Sequence, residues 1–198
     1  MNRVTDGKAD RIHELCGCPG ARQFGGAVGV VIDGCPPGLN ITEEEIQKDL
    51  DRRKPGQSSI TSSRKEQDII HIMSGVFQGK TIGTPIMLVA YNSDKKSEDY
   101  LHLKDVYRPG HADFTYEKKY GFRDWTGSGR ASARETLARV AAGAIAKKYL
   151  EEKLGIEFIS YVEQVGNIKT EIDFNTVIIE QIEANIARCP DEEKARAM

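Results

Sequence analysis

Long apolar runs are missing from this 198-residue chain. The two longest, Ala27–Ile32 and Ile86–Tyr91, fall far short of the roughly 20 residues a membrane-crossing helix needs, and no apolar signal segment opens the sequence. Charge of one sign is lacking too. With 28 Lys and Arg against 30 Asp and Glu, the net charge is −2, so there is no basic footprint for nucleic acid. Cysteine is sparse: Cys16, Cys18, Cys35 and Cys189 form neither a CxxC pair nor a Cys/His set at zinc-finger spacing. A disulfide framework and a metal site both lack support, and free thiols are expected. No repeat, low-complexity linker or charge block divides the chain. These absences leave a soluble globular protein of the cytoplasm, with one domain and a real core or two small ones.

What is present reads as mixed α and β. Residues 1–24 are polar and aperiodic around C-G-C-P-G, and no element is assigned to them. Ala27–Ile32 reads as a buried strand ended by Asp33-Gly34. A helix follows: Thr42 and Glu45 form a capping box, Ile46 and Leu50 share a face, and Pro55-Gly56 stops it. Arg52, Arg53 and Lys54 then lie where the helix dipole welcomes cations, which reads as a solvated helix end. The hydroxyl-rich stretch 57–65 reads as a mobile or ligand-facing loop. Residues 69–76 and 84–91 read as an antiparallel strand pair, followed by a charged loop. A long helix over 132–154 carries Leu137, Val140, Ala141, Ala144, Ile145 and Tyr149 on a narrow alanine-rich face and stops at Gly155. Residues 156–165 alternate like a half-buried strand, 174–188 have helical periodicity, and 189–198 read as a loop running into another helix.

Two segments point to anionic ligands. In G-S-G-R-A-S-A-R-E-T, residues 127–136, a glycine-rich turn runs into a helix start carrying Arg130 and Arg134. Free N–H groups, the positive dipole end and two guanidinium forks suit a phosphate or carboxylate. The alternative is that Ser132 and Glu135 merely form a capping box while the arginines face solvent. In Y-R-P-G-H-A-D, residues 107–113, Arg108, His111 and Asp113 surround a Pro-Gly turn. There His111 is a candidate proton donor, weighed against an ordinary surface histidine.

Taken in order, D-G-C-P-P-G-L, D-L-D-R-R-K-P-G-Q-S, S-G-V-F-Q-G-K-T-I-G-T-P-I, Y-R-P-G-H-A-D and G-R-A-S-A-R-E-T-L-A-R-V-A-A-G-A-I-A resemble the chorismate synthase family, from about Gly25 onward. The resemblance implies an α+β fold, a β-α-β sandwich assembled as a homotetramer. It implies reduced FMN as cofactor, with NADPH as a possible reductant, and 1,4-elimination of phosphate from 5-enolpyruvylshikimate 3-phosphate to give chorismate. By the same resemblance Arg53, Arg108 and Arg134 would hold substrate anions or NADP. Arg130, Ala131 and Ser132 match the family's flavin-contacting R-S-S segment, with Ala131 in place of the middle serine. His111 aligns with the histidine that protonates or steadies the reduced flavin.

The resemblance also implies departures. The family's G-E-S-H-G reads A-R-Q-F-G here, so Phe24 stands at its catalytic histidine and Gln23 at its serine. Ser59 stands where several relatives have Arg. Residues 1–24 read as an atypical leader, as an upstream frameshift or misplaced start would produce, and 25–198 as the amino-terminal part of the family's domain. The family's further flavin loops and its proton-transfer carboxylate are expected beyond this stretch. Half a sandwich would leave edges such as Ile86–Tyr91 open to pairing. The resulting expectation is a carbon–oxygen lyase with impaired activity in this chain. A non-catalytic flavin- or phosphate-binding fragment is the alternative, and an unrelated phosphate-binding enzyme with chance similarities is a third reading.

Overall fold

The computed structural model describes residues 12–16, 26–61, 67–92, 98–125 and 133–198. In chain order, β1 (Ile12–Cys16), β2 (Ala27–Ile32) and α1 (Glu43–Arg53) come first. They are followed by β3 (Ile70–Ile72), the two-residue strands β4 (Val76–Phe77) and β5 (Lys80–Thr81), and β6 (Ile86–Tyr91). A 3-10 helix (Glu98–Leu103), α2 (Asp113–Tyr120), a second 3-10 turn (Ala133–Glu135) and α3 (Thr136–Leu154) make up the middle. The rest comprises β7 (Gln164–Val165), β8 (Ile168–Lys169), a 3-10 turn (Phe174–Thr176), α4 (Ile179–Glu183) and α5 (Glu192–Ala197).

The architecture is α+β, a four-stranded antiparallel sheet in the order β1-β2-β6-β3. Register decides which face is buried. Val28 opposes Ala90, Val30 opposes Leu88 and Ile32 opposes Ile86, while Ile70 opposes Ala90 from the other side. All seven are buried, so the period-two alternation of β2 and β6 places one continuous apolar surface on one face. Onto it pack Ile46 and Leu50 of α1 and Leu137, Ala138, Ala141, Ala142, Ala144 and Ile145 of α3. Each fully buried Leu or Ile contributes about 1.5–3 kcal/mol.

Local chemistry sets the helix ends. Glu45 N–H donates to Thr42 Oγ1 (3.3 Å) and Thr42 N–H to Glu45 Oε2 (3.0 Å), completing the capping box expected from sequence. Gly155 ends α3 at φ 65°, a left-handed conformation a side chain would strain. The free edge of β3 is covered by α1 side chains: Ile70 N–H donates to Gln47 Oε1 (3.1 Å) and Ile72 N–H to Glu43 Oε1 (2.7 Å). Residues four apart on a helix thus meet residues two apart on a strand and block further pairing.

The structure departs from several expectations. The leader contributes an edge strand, β1, which pairs with β2 along its length; backbone pairing needs no apolar periodicity, so the sequence carried no signal for it. Rather than an open edge, β6 is central, flanked by β2 and β3. Its start slips to Ile86 because Pro85 has no N–H to give the ladder. The strand expected over 69–76 shortens to β3, and Gly75, at φ 81° where a Cβ would meet Ile86, turns the chain into the β4–β5 hairpin. Residues 156–163 belong to no sheet, with Ile156 and Phe158 exposed, because alternation defines a face without supplying a partner strand. The helix expected over 174–188 breaks at Val177, held extended, into a 3-10 turn capped by Asp173 and the short α4. The charged loop hides a 3-10 helix and α2, whose apolar residues are too few to show a periodic face. Cys189 is a buried free thiol, as expected. No described helix is long and apolar enough to cross a membrane.

Candidate functional site

At one end of the sheet the chain brings together the start of β2, the end of β6, the approach to β3, the last turn of α1 and the 3-10 turn leading into α3. Asn92, just past β6, donates its N–H to Gly26 O (3.0 Å). Asp68, just before β3, is fully buried and takes two arginines. Arg53 Nη1 donates to its Oδ2 (3.0 Å) and Arg134 Nη1 to its Oδ1 (2.7 Å). Arg134 Nε also donates to Asn92 Oδ1. The result is a bridge of two guanidiniums on one carboxylate, with a net charge of one positive unit. Burial, reinforced by the like charge of Arg134 and opposed by Asp68, lowers the Arg53 pKa; a guanidinium stays charged regardless.

This corrects the reading of Arg52, Arg53 and Lys54 as a solvated helix end. Lys54 stays local, on Asp51 (2.9 Å), and Arg52 keeps a long 4.0 Å approach to Asp49. Arg52 reaches Glu183 (2.6 Å), and Arg53 turns inward to Asp68. Dipole matching at a C-terminus is worth less than a charge-assisted bond to a buried carboxylate, so the tertiary partner wins.

Arg108 and His111 lie in a second cluster, formed within residues 103–123. Asp113, the first residue of α2, accepts from Arg108 Nε (2.8 Å), Nη2 (2.9 Å) and backbone N–H (3.1 Å). Arg123 adds a second cation at 3.6 Å. Hydrogen bonds from Arg108 hold the Asp113 carboxyl well below the usual carboxylate range, at about 2. Arg123, itself buried, donates through Nη2 to the carbonyls of Leu103, Lys104 and Val106, through Nε to Glu117, and lies over the Tyr107 ring. Tyr107 donates to Glu117 as well, which raises the phenol pKa. His111 is exposed on the turn; its backbone N–H donates to Arg108 O (3.3 Å), and its ring Nδ1 lies 3.4 Å from Pro109 O.

Of the residues singled out by sequence, the structure therefore joins Arg53 to Arg134 and places Arg108 and His111 around Asp113. Arg130, Ala131 and Ser132 lie outside the described residues, as does the Ser132 half of the capping box. Glu135 is buried in the 3-10 turn, and its side chain does not cap α3. Sequence reasoning missed Asp68, Asn92 and Arg123. Asp68 had a signal, a lone carboxylate directly before an apolar strand; the other two had none. No group of three or more His, Cys, Asp or Glu suited to a metal occurs among the described residues.

A family model described as chorismate synthase matches residues 22–198. A chorismate synthase of Synechocystis sp. is 60% identical over 174 residues, which is 88% of this chain and 48% of that protein. One from Nostoc punctiforme is 58% identical over 169 residues, covering 85% and 47%. A solved structure described as chorismate synthase superposes with a TM-score of 0.65 at 30% identity, over 95% of this chain and 51% of that one. The chain spans about half the length of these relatives. With the motifs in order, the sheet matched in three dimensions and the arginines gathered at its end, the chain belongs to the chorismate synthase family.

Proposed function

We propose that this chain carries a chorismate synthase site of the β-α-β sandwich type, acting on 5-enolpyruvylshikimate 3-phosphate by 1,4-elimination of phosphate. The observation that carries the reading is the Arg53–Asp68–Arg134 bridge at the end of the sheet. A substrate with two carboxylates and a phosphate needs cations fixed before it arrives, and guanidiniums already oriented lose little freedom on binding. Arg108, ordered by Asp113, is the third such cation.

The described residues fit a reduced flavin mononucleotide as partner of this site. His111 presents an exposed imidazole on a turn, and the arginine bridge keeps a positive charge for anionic groups. Arg130, Ala131 and Ser132, which directly precede the turn carrying Arg134 in sequence, would hold the flavin through backbone N–H and flanking side chains. When bound, reduced FMN lends electron density that helps phosphate leave, with NADPH as a possible reductant. His111 would hold a proton toward the flavin. A cytoplasmic homotetramer is the corresponding assembly.

Phe24 favours a second reading, a chain that binds phosphate and flavin without turning substrate over. A phenyl ring cannot donate a proton to departing phosphate, and a general acid is worth about 10²–10⁴-fold. Chorismate formation, followed by anaerobic absorbance with photoreduced FMN, tests both. The expected result is substrate binding with little turnover, which Phe24→His alone does not restore. Turnover at a useful rate that Phe24→His leaves unchanged would overturn the role given to position 24, and absence of substrate binding would overturn the site.

A further inference from the structure

We infer that Asp68 is a positioning residue for anion binding, holding Arg53 and Arg134 at a fixed spacing with one carboxylate oxygen each. This rests on the reading of those arginines as the cations that meet the substrate.

Arg53 comes from the end of α1 and Arg134 from the turn before α3, and two guanidiniums brought to one place repel each other. Asp68 supplies the opposite charge where they meet. Oδ2 takes Arg53 at 3.0 Å and Oδ1 takes Arg134 at 2.7 Å, while the Asp68 side chain is 0% exposed. The residue cannot drift. Its backbone sits at φ 51°, in the left-handed region, its carbonyl accepts from Gln47 Nε2 (3.3 Å), and Gln47 Oε1 takes the N–H of Ile70 (3.1 Å). The same α1 that ends in Arg53 thus fixes Asp68. Among the described residues, Arg53 makes no other hydrogen bond, and its side chain is 21% exposed. One corner of its fork is spent on Asp68, which leaves the Nε and Nη2 edge for an incoming oxyanion.

Asp68 acts on an anion in two opposite ways. Its charge cancels one of the two positive charges, which by itself weakens binding, and its bridge aligns the two forks, which strengthens it. The inference is that alignment dominates, because unaligned guanidiniums must be ordered at the moment of binding. The two effects predict opposite signs for Asp68→Asn, an isosteric change that removes the charge.

The test titrates inorganic phosphate into the 198-residue chain and follows the arginine side-chain resonances by ¹⁵N NMR, with thermal melts in parallel. Asp68→Asn should weaken phosphate binding about tenfold or more, the scale on which partners of ligand-holding groups act, and Asp68→Glu should restore it to within about threefold. Equal or tighter binding by Asp68→Asn at an unchanged melt would overturn the inference. Should Asp68→Asn fail to fold, the unaltered chain decides without phosphate: slowed rotation of the Arg53 and Arg134 guanidiniums supports the bridge, and free rotation overturns it. Arg53→Ala and Arg134→Ala separate the two levels. If neither changes phosphate binding, or the unaltered chain binds none, the anion-site reading itself fails. If they weaken binding and Asp68→Asn does not, only the role of Asp68 falls.

Discussion

Two arginine clusters in this molecule use the same chemistry on different foundations. Around Asp68 the partners come from segments distant in sequence and meet only once the sheet, α1 and α3 are packed. Around Asp113 they come from one short stretch, and Arg108, Asp113, Glu117 and Arg123 meet through a turn and two helical turns. The first cluster therefore inherits the rigidity of the core, and the second supplies its own. Long-range pairing gives a fixed spacing between cations, as recognition of a polyanion requires. Local pairing orders a loop, which suits the display of an exposed His111.

The largest expected effect lies at the first cluster. Replacing both Arg53 and Arg134 by Ala leaves Asp68 charged, buried and unpaired, and should cost about 3–5 kcal/mol in urea denaturation. Arg108→Ala should cost less, about 1–2 kcal/mol, because Arg123 remains within 3.6 Å of Asp113. Equal losses from the two changes would erase the distinction between the clusters.

Arg123→Ala comes next and should act locally. It frees the carbonyls of Leu103, Lys104 and Val106 from a buried cation, and hydrogen bonds to charged groups are worth about 1.5–3 kcal/mol. Hydrogen exchange should accelerate across residues 98–125 while the amides of β2 and β6 stay protected. Acceleration in the sheet as well would mean that the two regions unfold as one unit.

How much of this was legible beforehand follows the same division. The capping box at Thr42, the stop at Gly155 and the buried alternation of β2 and β6 are local or periodic signals, and each appears in the structure. Arg108, His111 and Asp113 could be grouped because they are neighbours in the chain. The Asp68 bridge could not be read, since nothing in residues 53, 68, 92 or 134 taken singly says that they meet. Local rules also misled where a tertiary partner decided the outcome. Arg53 left the helix-end dipole for Asp68, and the alternation of 156–163 found no strand to pair with.

Acid should sharpen the contrast by a smaller amount. Asp113 has its folded pKa lowered to about 2, chiefly by hydrogen bonds from Arg108, against an ordinary value of about 3.9. A depressed carboxylate contributes stability that is present above the unfolded pKa and lost as pH falls through the folded one. Order around α2 should thus weaken between about pH 4 and pH 2, read from the carboxyl shift of Asp113 by NMR. Arg108→Ala should move that midpoint up toward the ordinary value. A midpoint indifferent to Arg108 would assign the depression to another cause.

The smallest effect on stability is expected at His111, and its smallness is informative. The imidazole is exposed and, among the described residues, has its one polar approach at Pro109 O, 3.4 Å away, so His111→Ala should change the unfolding free energy by no more than about 0.5 kcal/mol. Arg108 and Asp113, two or three residues away, carry the structure of the turn through three hydrogen bonds. A histidine whose ring the fold does not need, exposed on a turn built by residues that the fold does need, fits the proton-donor role proposed for it. His111→Ala should therefore leave the melt and the exchange pattern of residues 98–125 intact while weakening the chain's response to reduced FMN, measured by anaerobic fluorescence titration. A loss of stability comparable to that of Arg108→Ala would show that His111 belongs to the scaffold of its turn, and the functional contrast between the two clusters would go with it.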